Sequence, residues 1–252
     1  RALAAMGLRP TVWHINEGHA AFLILERVRA LDAAGGVDFG TALELVASNT
    51  VFTTHTAVPA GHDHFADETI EHYFGGWCRE VGIPVEQLTA LGRTPSSHEF
   101  NMTALAIRGS RHHNGVSRIH RGVSAAICAP LWPQIEPDEN PIDSITNGVH
   151  IPTFLSDEWA ELFTRQMGSG WSQRATDPAS WEGVHRLPDL QYWSVRLSLK
   201  AQMLHLVRHR IAAAHARNRG SEAHLDRLLR LADPANPDVL TIGFARRFAT
   251  YK

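Results

Sequence analysis

The chain has 252 residues, with 24 Lys and Arg against 26 Asp and Glu, a net charge of −2, and 44% hydrophobic residues. This is the balance of an ordinary globular protein, and with so little net charge it offers no surface for nucleic acid or another polyanion. These residues read without a signal peptide or an apolar run long enough to span a membrane, and a cytoplasmic location is the expectation. Cys78 and Cys128 lie far apart, outside any metal-ligand spacing, and read as buried apolar residues in a reducing compartment. Sixteen histidines are many, but histidine serves hydroxyl recognition, acid–base work and metal binding alike. Arg1 opens inside a helix-like Ala/Leu stretch and Lys252 closes just after a strand-like run, so the chain reads as an internal fragment of a longer protein.

In chain order, residues 2–8 read as a helix ended by Arg9-Pro10. Residues 11–15 form a short strand, Asn16-Glu17-Gly18-His19 a polar turn, and Ala20 to Leu31 a helix with apolar residues at helical spacing. A helix over Phe39–Ala47 precedes a strand over 49–54, rich in Thr and β-branched residues, which ends at His55. Helices are predicted over Asp63–Phe74 and Phe100–Arg108, with 81–91 as a connection between them. His112-His113-Asn114 reads as a polar break before Gly115, and 116–127 as helical. A Pro-rich acidic loop leads to a strand at 144–146 and the polar end Asn147-Gly148. Helices follow over 157–167, 190–218 and 221–232, separated by an irregular stretch at 168–188. Val239–Phe244 reads as a strand opening a new unit after a linker at 234–237. Strands feeding helices through polar turns are the pattern of an α/β fold, whose ligands gather at strand ends.

Four of these junctions carry neutral hydrogen-bonding residues with little apolar reason to be there: Asn16/Glu17/His19, His55, His113/Asn114 and Asn147/His150. A sugar needs such a set, because its hydroxyls both donate and accept and must be paired when buried. The rival use is a metal site, with His62 and His64 at the i, i+2 spacing of a strand-borne pair; that reading would make the protein a metal-dependent hydrolase. A glycosidase would need two carboxylates flanking the scissile bond. Glu17 is the only carboxylate inside the polar set, where it is better placed to orient a histidine. Arg246, Arg247 and Lys252 pack three cations into seven residues after a strand, which suits a phosphate.

Six segments in the same order resemble the α-glucan (glycogen and maltodextrin) phosphorylases, in particular their short bacterial branch. They are Ile15-Asn16-Glu17-Gly18-His19-Ala20, Thr53-Thr54-His55-Thr56-Ala57-Val58-Pro59, Phe100-Asn101-Met102, His113 through His120, Thr146-Asn147-Gly148-Val149, and Arg246 through Lys252. The resemblance implies a GT-B architecture of two Rossmann-like domains with extra helices. Residues 1–237 would be the later portion of the first domain and 238–252 the opening strand of the second. It implies reversible, retaining phosphorolysis of α-1,4-glucan ends by inorganic phosphate to glucose 1-phosphate, with pyridoxal phosphate as cofactor and room for a homodimer. By position, His55 and Asn114 would bind the sugar, chiefly around its 6-hydroxyl, with Glu17, His19 and Asn147 in the same substrate site and Glu17 orienting His55. Arg247 and Lys252 would hold the substrate phosphate, and Arg246 with Lys252 would lie at the cofactor phosphate. The cofactor-bearing lysine is implied beyond Lys252, so the fragment alone is expected to be inactive. A non-catalytic carbohydrate-binding remnant of the same fold is the alternative.

Overall fold

A computed structural model describes residues 1–95, 97–236 and 238–246. They divide into two compact units with the boundary between Gly148 and Val149.

The first unit is α/β. After a one-turn helix α1 (Ala2–Ala5) come β1 (Trp13–Asn16), α2 (Phe22–Ala33), α3 (Phe39–Ser48) and β2 (Thr50–Thr54). Next are β3 (His64–Phe65), α4 (Asp67–Glu80), α5 (Val85–Gly92), β4 (Phe100–Asn101) and α6 (Met102–Arg108). The unit closes with β5 (His112–Gly115), α7 (Arg118–Cys128) and β6 (Ile142–Ser144). Strands β1, β2, β5 and β6 form one parallel sheet in that order. Parallel neighbours need crossovers, and helices supply each of them, as in a Rossmann-like α/β unit.

Strand alternation divides the sheet into rows. Ile15, Phe52, His113 and Ile142 are in register across the four strands and all are buried. They join a core with Ile24, Leu25 and Val28 of α2, Phe39, Ala42 and Val46 of α3, and Leu105 of α6. One residue further along lies Asn16, Thr53, Asn114 and Asp143, an entirely polar row. Local caps set the helix starts. Asp38 accepts from the Thr41 amide (3.1 Å), Asn101 from those of Thr103 (2.8 Å) and Ala104 (3.2 Å), and Ser117 from that of His120 (3.1 Å).

Several sequence-based expectations are corrected. Residues 112–114 are not a turn but part of inner strand β5. The His113 imidazole is accommodated in the core row because its nitrogens face the carbonyls of Pro141 (3.1 Å), Ile107 (3.1 Å) and Ser110 (3.0 Å). The helix expected from Asp63 begins at Asp67, because His64-Phe65 pairs antiparallel with Phe100-Asn101. The same pairing, with Asn101 as cap, moves the start of α6 to Met102. The expected connection over 81–91 contains helix α5, which follows Pro84.

The second unit, among the described residues, is helical: α8 (Ile151–Phe154), α9 (Asp157–Met167), α10 (Asp189–Asn218) and α11 (Glu222–Leu231). Its irregular stretch is held by aromatic rings. Phe163 of α9 packs on Trp171 at 5.5 Å and Trp181 at 5.8 Å, and Trp159 meets Tyr192 of α10 at 4.9 Å. The indole N–H of Trp181 donates to the Ala175 carbonyl at 2.9 Å. The strand expected at Val239–Phe244 is absent; these residues have no regular structure, and Leu240, Ile242 and Phe244 are more than four-fifths exposed. A strand needs a partner edge, and this unit has no strand among its described residues. No helix among the described residues is long and apolar enough to cross a membrane.

Gly109 follows α6 where that helix abuts α2, and a Cβ there would sit 2.3–2.8 Å from the Ile24 side chain. Gly109→Ala should therefore destabilise the fold by about 1–3 kcal/mol. Urea denaturation reads this as a lower midpoint at an unchanged slope.

Candidate functional site

The polar residues gather where β1, β2 and β5 end. At the end of β1 the chain makes an unusual turn: Glu17 has φ 74° and ψ 161°, a region almost reserved for glycine, which costs on the order of 1–3 kcal/mol. The turn persists because it is anchored from several directions. The Glu17 amide donates to the Thr53 carbonyl (2.8 Å). Its carboxylate accepts from the His55 amide (2.7 Å), the Thr56 hydroxyl (2.9 Å), the Thr54 hydroxyl (3.1 Å) and the Gly18 amide (3.3 Å). Space at Gly18 is tight, since a Cβ would lie 3.0 Å from the Thr103 hydroxyl and 3.3 Å from its amide.

Glu17 thus orients His55 through its backbone, not its ring. The exposed His55 ring is met instead by Asn16, whose Oδ1 lies 2.5 Å from Nε2. With that oxygen accepting, His55 carries its proton on Nε2 and leaves Nδ1 as an acceptor. Burial pushes the Glu17 carboxyl pKa up, but the donors of His55, Thr56, Thr54 and Gly18 outweigh it and hold the pKa below its ordinary value. A group held ionised in this way is a structural anchor; a general acid needs the opposite shift.

Asn114, at the same level of β5, is buried. Its Oδ1 accepts from the Thr53 hydroxyl at 2.8 Å and its Nδ2 donates to the Gly115 carbonyl at 3.2 Å. Thr53 in turn meets His14 Nε2 at 2.7 Å. His120 bridges the strand ends: Nδ1 accepts from the Val116 amide (3.2 Å), so Nε2 carries the proton and donates to the Thr56 carbonyl (3.2 Å). The roles of His14, Thr53 and His120 were not drawn from the sequence. The signal was the period of two along β1 and β2, which puts His14 and Asn16 on the face of Thr53.

The other expected residues fall elsewhere. His19 is exposed in the turn after Glu17, and Asn147 is exposed beyond β6, its amide donating to the Val116 carbonyl at 3.1 Å. His113 faces the core. His150 and Arg246 belong to the second unit, where the ring of His150 meets the Thr153 hydroxyl at 2.7 Å and Arg246 is exposed without regular structure. Arg247 and Lys252 lie outside the described residues. His62 and His64 are directed to different partners. His62 Nδ1 meets the Thr103 hydroxyl at 2.7 Å and His64 Nδ1 lies 3.6 Å from the Glu99 carboxylate, although both line the same cavity of about 200 Å³. Among the described residues, no three His, Cys, Asp or Glu are placed to hold a metal ion. Both cysteines are buried, and burial pushes the Cys128 thiol up to about 12, which leaves it unreactive.

The anchoring role of Glu17 has a sign. A carboxyl whose folded pKa is depressed stabilises the fold above its unfolded pKa, and that contribution is lost as pH falls through the folded value. Glu17→Gln should lower stability at neutral pH, since an amide accepts through one oxygen only. The gap from the parent chain should narrow as pH drops below about 4.3, the ordinary Glu value. Paired urea melts at pH 7 and pH 3.5 measure it; a gap that widens in acid contradicts the assignment.

No family model matches the chain. Individual proteins do. The glycogen phosphorylase of Mycobacterium tuberculosis (strain H37Rv) is 40% identical over 249 residues, covering 96% of this chain and 28% of the relative. The maltodextrin phosphorylase of Thermococcus litoralis is 38% identical over 252 residues, 100% of this chain and 29% of the relative. The glycogen phosphorylase of Aquifex aeolicus is 30% identical over 254 residues, 99% of this chain and 35% of the relative. The chain spans about a third or less of the length of these relatives, and the similarity runs through both of its units. With collinear identity from end to end, the chain belongs, as a segment, to the glycogen and maltodextrin phosphorylase family.

Proposed function

We propose that this chain supplies the sugar-binding strand ends of an α-glucan phosphorylase, which splits the terminal glucose from an α-1,4-glucan with inorganic phosphate and yields glucose 1-phosphate with retained configuration. The observation that carries the reading is the cluster of Asn16, Glu17, His55 and Asn114 at three adjacent strand ends, with its donors and acceptors already set. His55 Nδ1 offers an acceptor, and Asn114 offers the amide N–H that Gly115 does not use. A hydroxyl that both gives and takes a proton suits such a pair, and by family resemblance it is the 6-hydroxyl of the glucose. Glu17 holds the His55 backbone in place and takes no proton.

The phosphate side rests on the resemblance: Arg247 and Lys252 to the substrate phosphate, with Arg246 and Lys252 at the cofactor phosphate. Pyridoxal phosphate enters in the same way. The described residues do not themselves fit it. They include one lysine, Lys200, whose ammonium donates to the Val239 carbonyl, and Arg246 stands exposed. The reading therefore keeps the anchoring lysine outside this chain, together with the second half of a GT-B architecture, a homodimer and a cytoplasmic location.

The test uses a full-length phosphorylase carrying this segment, given pyridoxal phosphate, maltodextrin and inorganic phosphate. Phosphate-dependent glucose 1-phosphate is expected, with His55→Ala lowering kcat/KM by about tenfold or more through lost hydrogen bonding. Release of free glucose overturns the phosphate assignments. A folded protein that binds maltodextrin and turns nothing over is the carbohydrate-binding remnant instead.

A further inference from the structure

We infer that Thr53 and His14 are positioning residues that hold the Asn114 amide in the orientation its Gly115 contact requires, with an N–H turned toward the sugar, an inference that rests on the sugar-site reading above. An amide can be turned over, exchanging a donor for an acceptor, so its orientation needs a cause. The cause here is a chain of contacts running from the sheet face to the site.

The first link is Gly115. Its carbonyl lies 3.2 Å from Asn114 Nδ2. Turning the amide over would put two oxygens at that distance, so nitrogen must occupy this side and Oδ1 the other. The second link is Thr53, whose hydroxyl is 2.8 Å from Oδ1. Amide oxygens only accept, so the single hydroxyl proton of Thr53 is spent on Asn114. The third link follows. His14 Nε2 is 2.7 Å from the same hydroxyl oxygen, which has no proton left to give, so Nε2 must carry one. A histidine protonated on Nδ1 alone would set two lone pairs against each other and release Thr53 to turn its proton away from Asn114.

The geometry favours this relay over a packing role. Thr53 and Asn114 are in register on adjacent strands and are each 6% exposed, so water does not readily replace a missing partner. His14 is exposed, on β1, and makes no part of the core. What reaches the ligand is the second Asn114 N–H: the site is committed to donating at this position, and it selects a sugar oxygen able to accept there.

Two measurements test the relay separately. In this chain, nitrogen-15 shifts of labelled histidine should show His14 protonated on Nε2, and Thr53→Val should disturb both that ring and the Asn114 side-chain amide. In a full-length phosphorylase carrying the segment, inhibition by glucose and by its monodeoxy analogues should reveal one hydroxyl whose removal is costly. Thr53→Val should shrink that one penalty by about tenfold, leaving the others in place. His14→Leu, a surface change with little risk to folding, should shrink it in the same direction, and Thr53→Ser should retain it. A uniform weakening towards every analogue would mean that Thr53 merely supports the strand, and overturns the inference. His14 protonated on Nδ1 alone also overturns it. Should the full-length protein fail to respond to sugar, the function proposed above falls, while the histidine shifts still decide the relay.

Discussion

The carboxylate of Glu17 is the constraint around which the site is built. One side chain gathers donors from its own turn and from Thr54, His55 and Thr56 at the end of β2, and so ties together the ends of two paired strands beyond their ladder. The backbone of Glu17 is strained, and strain of that size persists only where the surroundings over-determine it. Here they do: the amide is held by Thr53, the carboxylate by four donors, and the turn that follows packs against α6. The geometry of His55 is thus inherited from a group that need not touch a ligand.

A division of labour among polar residues follows. Glu17, His113 and His120 spend their hydrogen-bonding capacity inside the protein, on amides, hydroxyls and carbonyls. His55 and Asn114 each retain an uncommitted group at the strand ends. Such economy suits recognition of a neutral polyol, where a misdirected donor is as harmful as a missing one. It also explains why a segment this rich in histidine places so few of those rings at a site.

Much of the fold was legible in the sequence: α2 was read from apolar residues at helical spacing and β2 from its Thr and β-branched residues, each bounded by clear stops. The strand ends at Asn16 and His55 were legible for the same reason: polar residues interrupt an apolar pattern. The misreadings have physical sources. β5 spells His-His-Asn-Gly, which is turn chemistry by propensity, and only burial between two neighbours makes it a strand. Val239–Phe244 has strand composition but no strand to pair with among the described residues of its own unit. Glu17 stands out in the sequence as the carboxylate of the polar set, yet its grip on the backbone of His55 rather than its ring depends on a positive-φ turn that no residue type announces. Arg247 and Lys252 rest on family resemblance alone.

The interleaving of an apolar and a polar row in the same four strands has an evolutionary side. Apolar positions that hold the sheet together and polar positions that the proposed function turns toward a sugar alternate along the chain, one residue apart, on opposite faces. Substitution at Asn16 or Asn114 can alter what is recognised while Ile15, Phe52 and Ile142 go on maintaining the scaffold. On the proposed function, point replacement in the polar row would change the sugar recognised, while the loops after the strands are where changes of length are best tolerated. Divergence within such a family should accumulate as changes of residue inside the strands and as changes of length outside them.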